Sequence, residues 1–180
     1  MGEFKQLLPF AGKSFVECCV DSLLASRVDE VVVVTGHRHR DVRNAIGNRP
    51  VRVVHNPDYE FGMSTSVKRG VEALPPNTRA CLIALVDQPQ IGPEIINRVI
   101  DAYVEHQPLI VIPNYNGRNG HPIILDLELR KEILAIDAAQ GLRQVIHAHT
   151  DRLRIVDVDN EAVVIDFDLP EDYQRLSDKV

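Results

Sequence analysis

The sequence predicts an α/β fold, a largely parallel sheet covered by helices, on three observations. Apolar runs without polar alternation occur at Val31-Val32-Val33-Val34 and at Ala80-Cys81-Leu82-Ile83-Ala84-Leu85-Val86, the pattern of strands buried on both faces. Amphipathic stretches separate the runs, so strand and helix alternate as right-handed βαβ units require. The second run stops abruptly at Asp87 and Pro89, and open sheets of this class place their ligands just beyond the carboxyl ends of the strands.

The elements follow in chain order. Leu7-Leu8-Pro9-Phe10 precedes the turn residues Gly12 and Lys13. Ser14, with Glu17 three residues on, forms a capping box for a helix reaching Ser26. A strand over residues 28–35 ends at Gly36-His37, a short helix covers 40–46, and a strand over 51–54 is closed by His55-Asn56-Pro57. Tyr59 to Ser66 is a polar, Gly-containing loop entering a helix over 64–74. Ser64 and Ser66 either cap that helix or leave its first N–H groups to an anion, and spacing alone favours capping. Pro75-Pro76-Asn77 breaks the helix before the strand over 80–86. Pro93 then opens a helix whose Ile95, Ile96, Val99, Ile100 and Val104 share one face. A strand over 109–112 leads into Pro113 to Pro122, which holds Gly117 and Gly120 around Arg118 and is either a ligand-facing loop or a long hairpin tip. Ile123-Ile124-Leu125 is expected antiparallel to its predecessor. Helices over 127–134 and 141–149, edge strands over 154–158 and 163–166, and a last helix from Pro170 complete the chain, with no internal repeat or low-complexity tract.

Composition narrows the function classes. At 180 residues the chain suits one domain, 1–180, with a real core. Its net charge of −6 and pI near 5.6 argue against a nucleic-acid surface, which needs clustered Lys and Arg. No apolar run has the length of a membrane span and no signal-peptide core is visible, so the expected location is cytoplasmic, with no membrane partner. Cys18, Cys19 and Cys81 are an odd count without metal-ligand spacing, expected to be reduced thiols in or near the core.

Two carboxylates stand out. Asp87 and Asp168 each follow an apolar strand and precede a Pro-bearing turn or helix start. Taken singly, Asp87 either opens a turn or offers oxygen to a hard ion such as Mg²⁺, which takes one or two protein oxygens and shares its remaining positions with phosphate and water. Were the two strand ends to meet, one divalent cation would lie between them, and phosphoryl or nucleotidyl transfer needs little more than that metal, a cation on the phosphates and alignment. Lys5 is the candidate cation and Arg118 a second. Asp166 is either a further ligand or, with Glu171 and Asp172, a favourable charge at a helix N-terminus. The pairs His37/His39 and His147/His149 lack the i, i+4 spacing of a zinc helix. His121, in Gly120-His121-Pro122, is fixed at a loop-to-strand junction. No Gly-x-Ser-x-Gly elbow is present.

Taken in order, these motifs resemble the MobA-like nucleotidyltransferases, most closely their molybdenum cofactor cytidylyltransferase branch. The resemblance runs through Met1-Gly2, Lys5 and Leu7-Leu8-Pro9; Asp29 to His37; Asn56-Pro57-Asp58-Tyr59 and Gly62-Met63-Ser64-Thr65-Ser66; Leu85-Val86-Asp87-Gln88-Pro89, with Val86 where Gly is usual; Gly117 to Pro122; and Asp166 to Asp172. It implies a Rossmann-like three-layer α/β/α sandwich of the nucleotide-diphospho-sugar transferase kind, transferring CMP from CTP to molybdopterin with Mg²⁺ and releasing pyrophosphate. Carried over, Lys5 would neutralise the triphosphate and Asp87 and Asp168 would hold the metal. Asn56, Gly62 and Ser64 would lie near the nucleotide, and Arg118 and His121 near the pterin. A molybdoenzyme or its chaperone is an implied partner. The resemblance also implies a first strand and a Leu-Ala-Ala-Gly-x-Ser-x-Arg phosphate loop before Met1-Gly2, so that piece is expected either upstream of residue 1 or to be lacking in a naturally shortened relative. The rival readings are a guanylyl- or sugar-phosphate nucleotidyltransferase of the same fold and a non-catalytic partner in cofactor maturation.

Overall fold

The structure is a computed structural model and describes residues 4–137 and 141–166. A 3-10 turn (Lys5–Leu7) leads into a hairpin of β1 (Pro9–Phe10) and β2 (Lys13–Ser14). Helix α1 (Phe15–Leu24) starts as its capping box predicts: the Glu17 carboxylate accepts from Ser14 N at 2.9 Å and from Ser14 Oγ at 2.7 Å. The first βαβ unit follows as β3 (Val32–Thr35), α2 (His39–Ile46) and β4 (Arg52–His55), with β3 and β4 parallel from Val32 opposite Arg52 to Thr35 opposite His55. Helix α3 (Met63–Ala73), β5 (Ala80–Ile83), α4 (Pro93–His106), β6 (Ile110–Tyr115), β7 (Arg118–Asn119) and β8 (Ile123–Asp126) come next. Helices α5 (Arg130–Leu134) and α6 (Leu142–Ala148), strand β9 (Leu153–Asp157) and a 3-10 turn (Glu161–Val164) close the described chain.

Side-chain alternation reveals three layers. Successive residues of a strand point to opposite faces, and β8 sends Ile123 and Leu125 into a cluster with Val67 and Val71 of α3, Ile133 of α5 and Val145 of α6. Its Ile124 points the other way, to Val99, Ala102 and Tyr103 of α4. In β6, Ile110 and Ile112 join the first cluster and Val111 the second. The smaller sheet is covered likewise: Val33 and Val53 pack with Val16, Val20, Val42 and Ile46 of α1 and α2, while Val34 faces α3, where a Cβ on Gly70 would meet it at 3.2 Å.

The sheet is mixed. β5 pairs with β8 and β8 with β6 antiparallel, as expected for residues 123–125, whereas β9 runs parallel to β6. Among the described residues no ladder joins β3 to β5, so each of these strands pairs on one side only. Ala80 to Ile83 are accordingly half-buried, not buried on both faces as their composition predicts.

Two other expectations are corrected. The segment 163–166 is no edge strand; residues 161–164 wind into a 3-10 turn capped by Asn160, whose Oδ1 accepts from Ala162 N at 2.9 Å. Val104 lies off the buried stripe of α4 and is 64% exposed, because Tyr103 and Ala102 fill the inward face of its last turns. The helix expected from Pro170 lies outside the described residues.

Candidate active site

Three loops converge at the carboxyl end of β5. The first is 84–91, which carries Asp87. Its Leu85 and Val86 carbonyls face Cys19 Sγ of α1 at 3.7 and 3.6 Å. Burial pushes the Cys19 thiol up to about 12, and the nearby negative charge of Asp87 adds to the shift. Val86 also joins the apolar cluster that holds Phe4 and Leu7. Phe4 and Leu7, on either side of Lys5-Gln6, and the residue preceding Asp87 therefore share one cluster.

The second loop is the turn between β6 and β7. Asn116 and Gly117, at φ +50° and +80°, take the left-handed pair that a tight hairpin demands. Asn114 builds it: its Oδ1 accepts from Gly117 N at 2.9 Å and its Nδ2 donates to Asn119 Oδ1 at 2.8 Å. Gly120 and His121, just after β7, lie against the third loop.

That third loop is 161–166. His121 N donates to Val163 O at 2.9 Å, Arg118 Nη2 to Val164 O at 3.3 Å, and Gln90 Nε2 to Ala162 O and Ile165 O at 3.1 and 2.9 Å. Gly120 lies so close that a Cβ there would collide with the Val163 carbonyl. Gln88 Nε2 reaches Asp166 Oδ1 at 2.8 Å. Burial holds the His121 imidazole below its ordinary range, opposed by the charge of Asp166. Burial thus favours the neutral imidazole, whose ring accepts a hydrogen bond or donates one as the tautomer dictates.

The structure thus brings the Asp87 loop together with Arg118, His121 and Asp166. In the structure the Arg118 guanidinium and the His121 backbone hold residues 163–164; the place of both beside a pterin stands as an expectation. Asp168 lies outside the described residues; Asp166, two positions earlier, is tied to Gln88, the neighbour of Asp87.

Asn56, Gly62 and Ser64 form a second group beyond β4. Asn56, 2% exposed, donates through Nδ2 to Thr65 Oγ1 and Ser66 Oγ at 2.9 and 3.0 Å and accepts from Asp58 N at 3.0 Å. Its carboxamide builds the start of α3. Gly62 takes φ +104° as that helix begins, a conformation natural only to glycine, and Ser64 is buried.

Asp87 and Asp166 are oxygen donors of the kind Mg²⁺ and Mn²⁺ prefer, and such ions are completed by substrate phosphate and water. Among the described residues no group of three or more His, Cys, Asp or Glu is gathered for a metal. A cage built wholly of these side chains is thus not on view, while an ion shared between one or two carboxylates and a phosphate fits the donor set. Gln88 and Gln90 are the residues that sequence reasoning missed. Their only signal was their place beside Asp87, because a buried amide gripping a loop far along the chain leaves no local pattern.

Residues 1–153 match the family model described as the MobA-like NTP transferase domain. The chain belongs to the MobA-like NTP transferase family. This MobA-like chain is a nucleotidyltransferase by family. It is 25% identical over 174 residues to the molybdenum cofactor cytidylyltransferase of Escherichia coli K12, covering 96% of this chain and 86% of that protein. It is 29% identical over 181 residues to the nicotine blue oxidoreductase of Paenarthrobacter nicotinovorans, covering 96% and 87%. The crystal structure of Rv0371c of Mycobacterium tuberculosis H37Rv in complex with manganese superposes with a TM-score of 0.84 at 26% identity, covering 98% of this chain and 92% of that one. The α/β/α fold expected from the sequence is borne out by these neighbours. Among the described residues no helix is long and apolar enough to cross a membrane.

Proposed function

We propose that this MobA-like chain is a cytidylyltransferase of molybdenum cofactor maturation, transferring CMP from CTP to molybdopterin. The observation that carries the reading is the similarity along nearly the whole chain to a protein named for that reaction. The convergence of the Asp87 loop with the segment ending at Asp166 supplies the chemistry. The terminal phosphate oxygen of molybdopterin attacks the α-phosphorus of CTP. A new P–O bond forms, the bond from that phosphorus to the α,β-bridging oxygen breaks, and pyrophosphate leaves.

Asp87 and Asp168 hold a divalent cation, Mg²⁺ in this reading, which supplies Lewis-acid neutralisation of the triphosphate. The manganese bound by the Rv0371c structure supports a divalent ion at this fold. Lys5 adds positive charge on the phosphates, and Gly62 and Ser64 line the nucleotide side. Arg118 and His121 fix the loop that faces the acceptor. The location is the cytoplasm, where three free cysteines remain reduced, and the product passes to a molybdoenzyme or its chaperone.

The test is pyrophosphate release with molybdopterin and Mg²⁺ or Mn²⁺, CTP and GTP being compared. Turnover with CTP exceeding that with GTP by at least about tenfold, some 1.4 kcal/mol, is expected. Preference for GTP, or for a sugar phosphate as acceptor, moves the chain to a sister activity. No pyrophosphate with any nucleoside triphosphate contradicts the reading.

A further inference from the structure

Gln88 is 3% exposed, and its carboxamide is oriented by what lies beyond it. Nε2 donates to Asp166 Oδ1 at 2.8 Å and faces Val163 O at 3.4 Å. Oε1, equally buried, has no hydrogen-bond partner among the described residues. Turning the amide over would set Oε1 against a carboxylate and a carbonyl, so the arrangement seen is the one that Asp166 dictates. An unpaired buried acceptor costs about 1–3 kcal/mol. The surroundings do not ask for an amide: the small cavity beside Gln88 is lined by Cys19, Leu23, Ile91, Ile96 and Pro122, among others. A methionine would suit that lining better. Among the described residues the side chain is thus bonded at one end, and that end grips a carboxylate 78 residues away.

We propose that Gln88 is a positioning residue that latches residues 161–166 onto the loop of Asp87, holding the Asp166 carboxylate beside the loop whose Asp87 would serve the metal. The latch is independent of which nucleotide is used, but its bearing on the metal rests on the function proposed above. Gln90 grips the same segment two residues on, through backbone carbonyls alone. Among the described residues, Gln88 is the one of the two that addresses a carboxylate.

The experiment uses the full chain and the variants Gln88→Met, which keeps volume and loses the donor, and Gln88→Glu, which keeps shape and sets a second acceptor opposite Asp166. Amide hydrogen exchange followed by mass spectrometry should show residues 161–166 exchanging at least about tenfold faster in both variants, with β6 and β8 unchanged. Mn²⁺ titration followed by electron paramagnetic resonance should show the dissociation constant rising by about tenfold. Unchanged exchange at 161–166 overturns the latch, and so does equal acceleration throughout the core, which would make Gln88 a packing residue. Faster exchange with unaltered Mn²⁺ affinity overturns its bearing on the site. Wild type that binds no Mn²⁺ contradicts the metal reading instead, and the exchange rates still decide whether Gln88 holds the segment.

Discussion

Asn56 donates to Thr65 Oγ1 at 2.9 Å, tying the end of β4 to the first turn of α3. Thr65 Oγ1 in turn reaches Gly62 O and Asp58 O at 2.8 and 3.0 Å. The loop between the strand and the helix is therefore ordered from inside by one buried amide. Asn56→Ala removes that amide and strands its partners, at a cost of about 2–3 kcal/mol. Urea denaturation should show a lower midpoint with an unchanged slope; a midpoint equal to wild type contradicts the role.

Asp21 lies between Arg49 and Lys13. Arg49 Nε reaches its carboxylate at 2.6 Å and Lys13 Nζ at 2.6 Å, and Arg49, the larger influence, helps hold its pKa down to about 2. A carboxyl depressed in the folded state stabilises above its unfolded value of about 3.9, and that stabilisation is lost as pH falls towards the folded value. Because the pair is partly exposed, the contribution at neutral pH is discounted to about 1 kcal/mol. Wild type should exceed Asp21→Asn in stability by that margin at pH 7, with the gap closed near pH 2. A gap that persists in acid contradicts this account.

Gly120 has no room for a side chain. Its missing Cβ would fall on the Val163 carbonyl, which is backbone and cannot swing aside. Gly120→Ala should displace residues 161–166, cost about 1–3 kcal/mol of stability and lower turnover by at least about tenfold. Wild-type melting and turnover together would show that the segment yields freely.

Burial pushes the thiols of Cys19 and Cys81 up to about 12. The thiolate is the reactive form. At pH 8 iodoacetamide should therefore label both at least about a hundredfold more slowly in the native chain than in urea. Rapid native labelling at either residue contradicts their placement.

What could be read from the residues was whatever is set locally. The capping box at Ser14 and Glu17, the stripe of Ile95, Ile96 and Val99 on α4, the break at Pro75-Pro76 and the antiparallel return of residues 123–125 all follow from neighbours a few positions apart. The place of Asp87 just beyond β5 was legible for the same reason, since an apolar run ending in a carboxylate is a local signal. Contacts between distant segments were not. Val163 and Val164 have the composition of a strand, but Asn160 caps a 3-10 turn there and Gly120, His121 and the two glutamines hold it. The half-exposure of Ala80 to Ile83 depends on which strands lie alongside β5, and composition says nothing about that. Asn56 reads as a polar residue at a loop and is instead among the most buried side chains.

The proposed nucleotidyl transfer rests on Asp87, in the loop that leaves the carboxyl end of β5. Pyrophosphate release from CTP and molybdopterin by Asp87→Ala, with folding verified by its melting curve, measures it most directly. The account predicts a loss of at least about a thousandfold, some 4 kcal/mol of transition-state stabilisation; turnover within about twofold of wild type would contradict it.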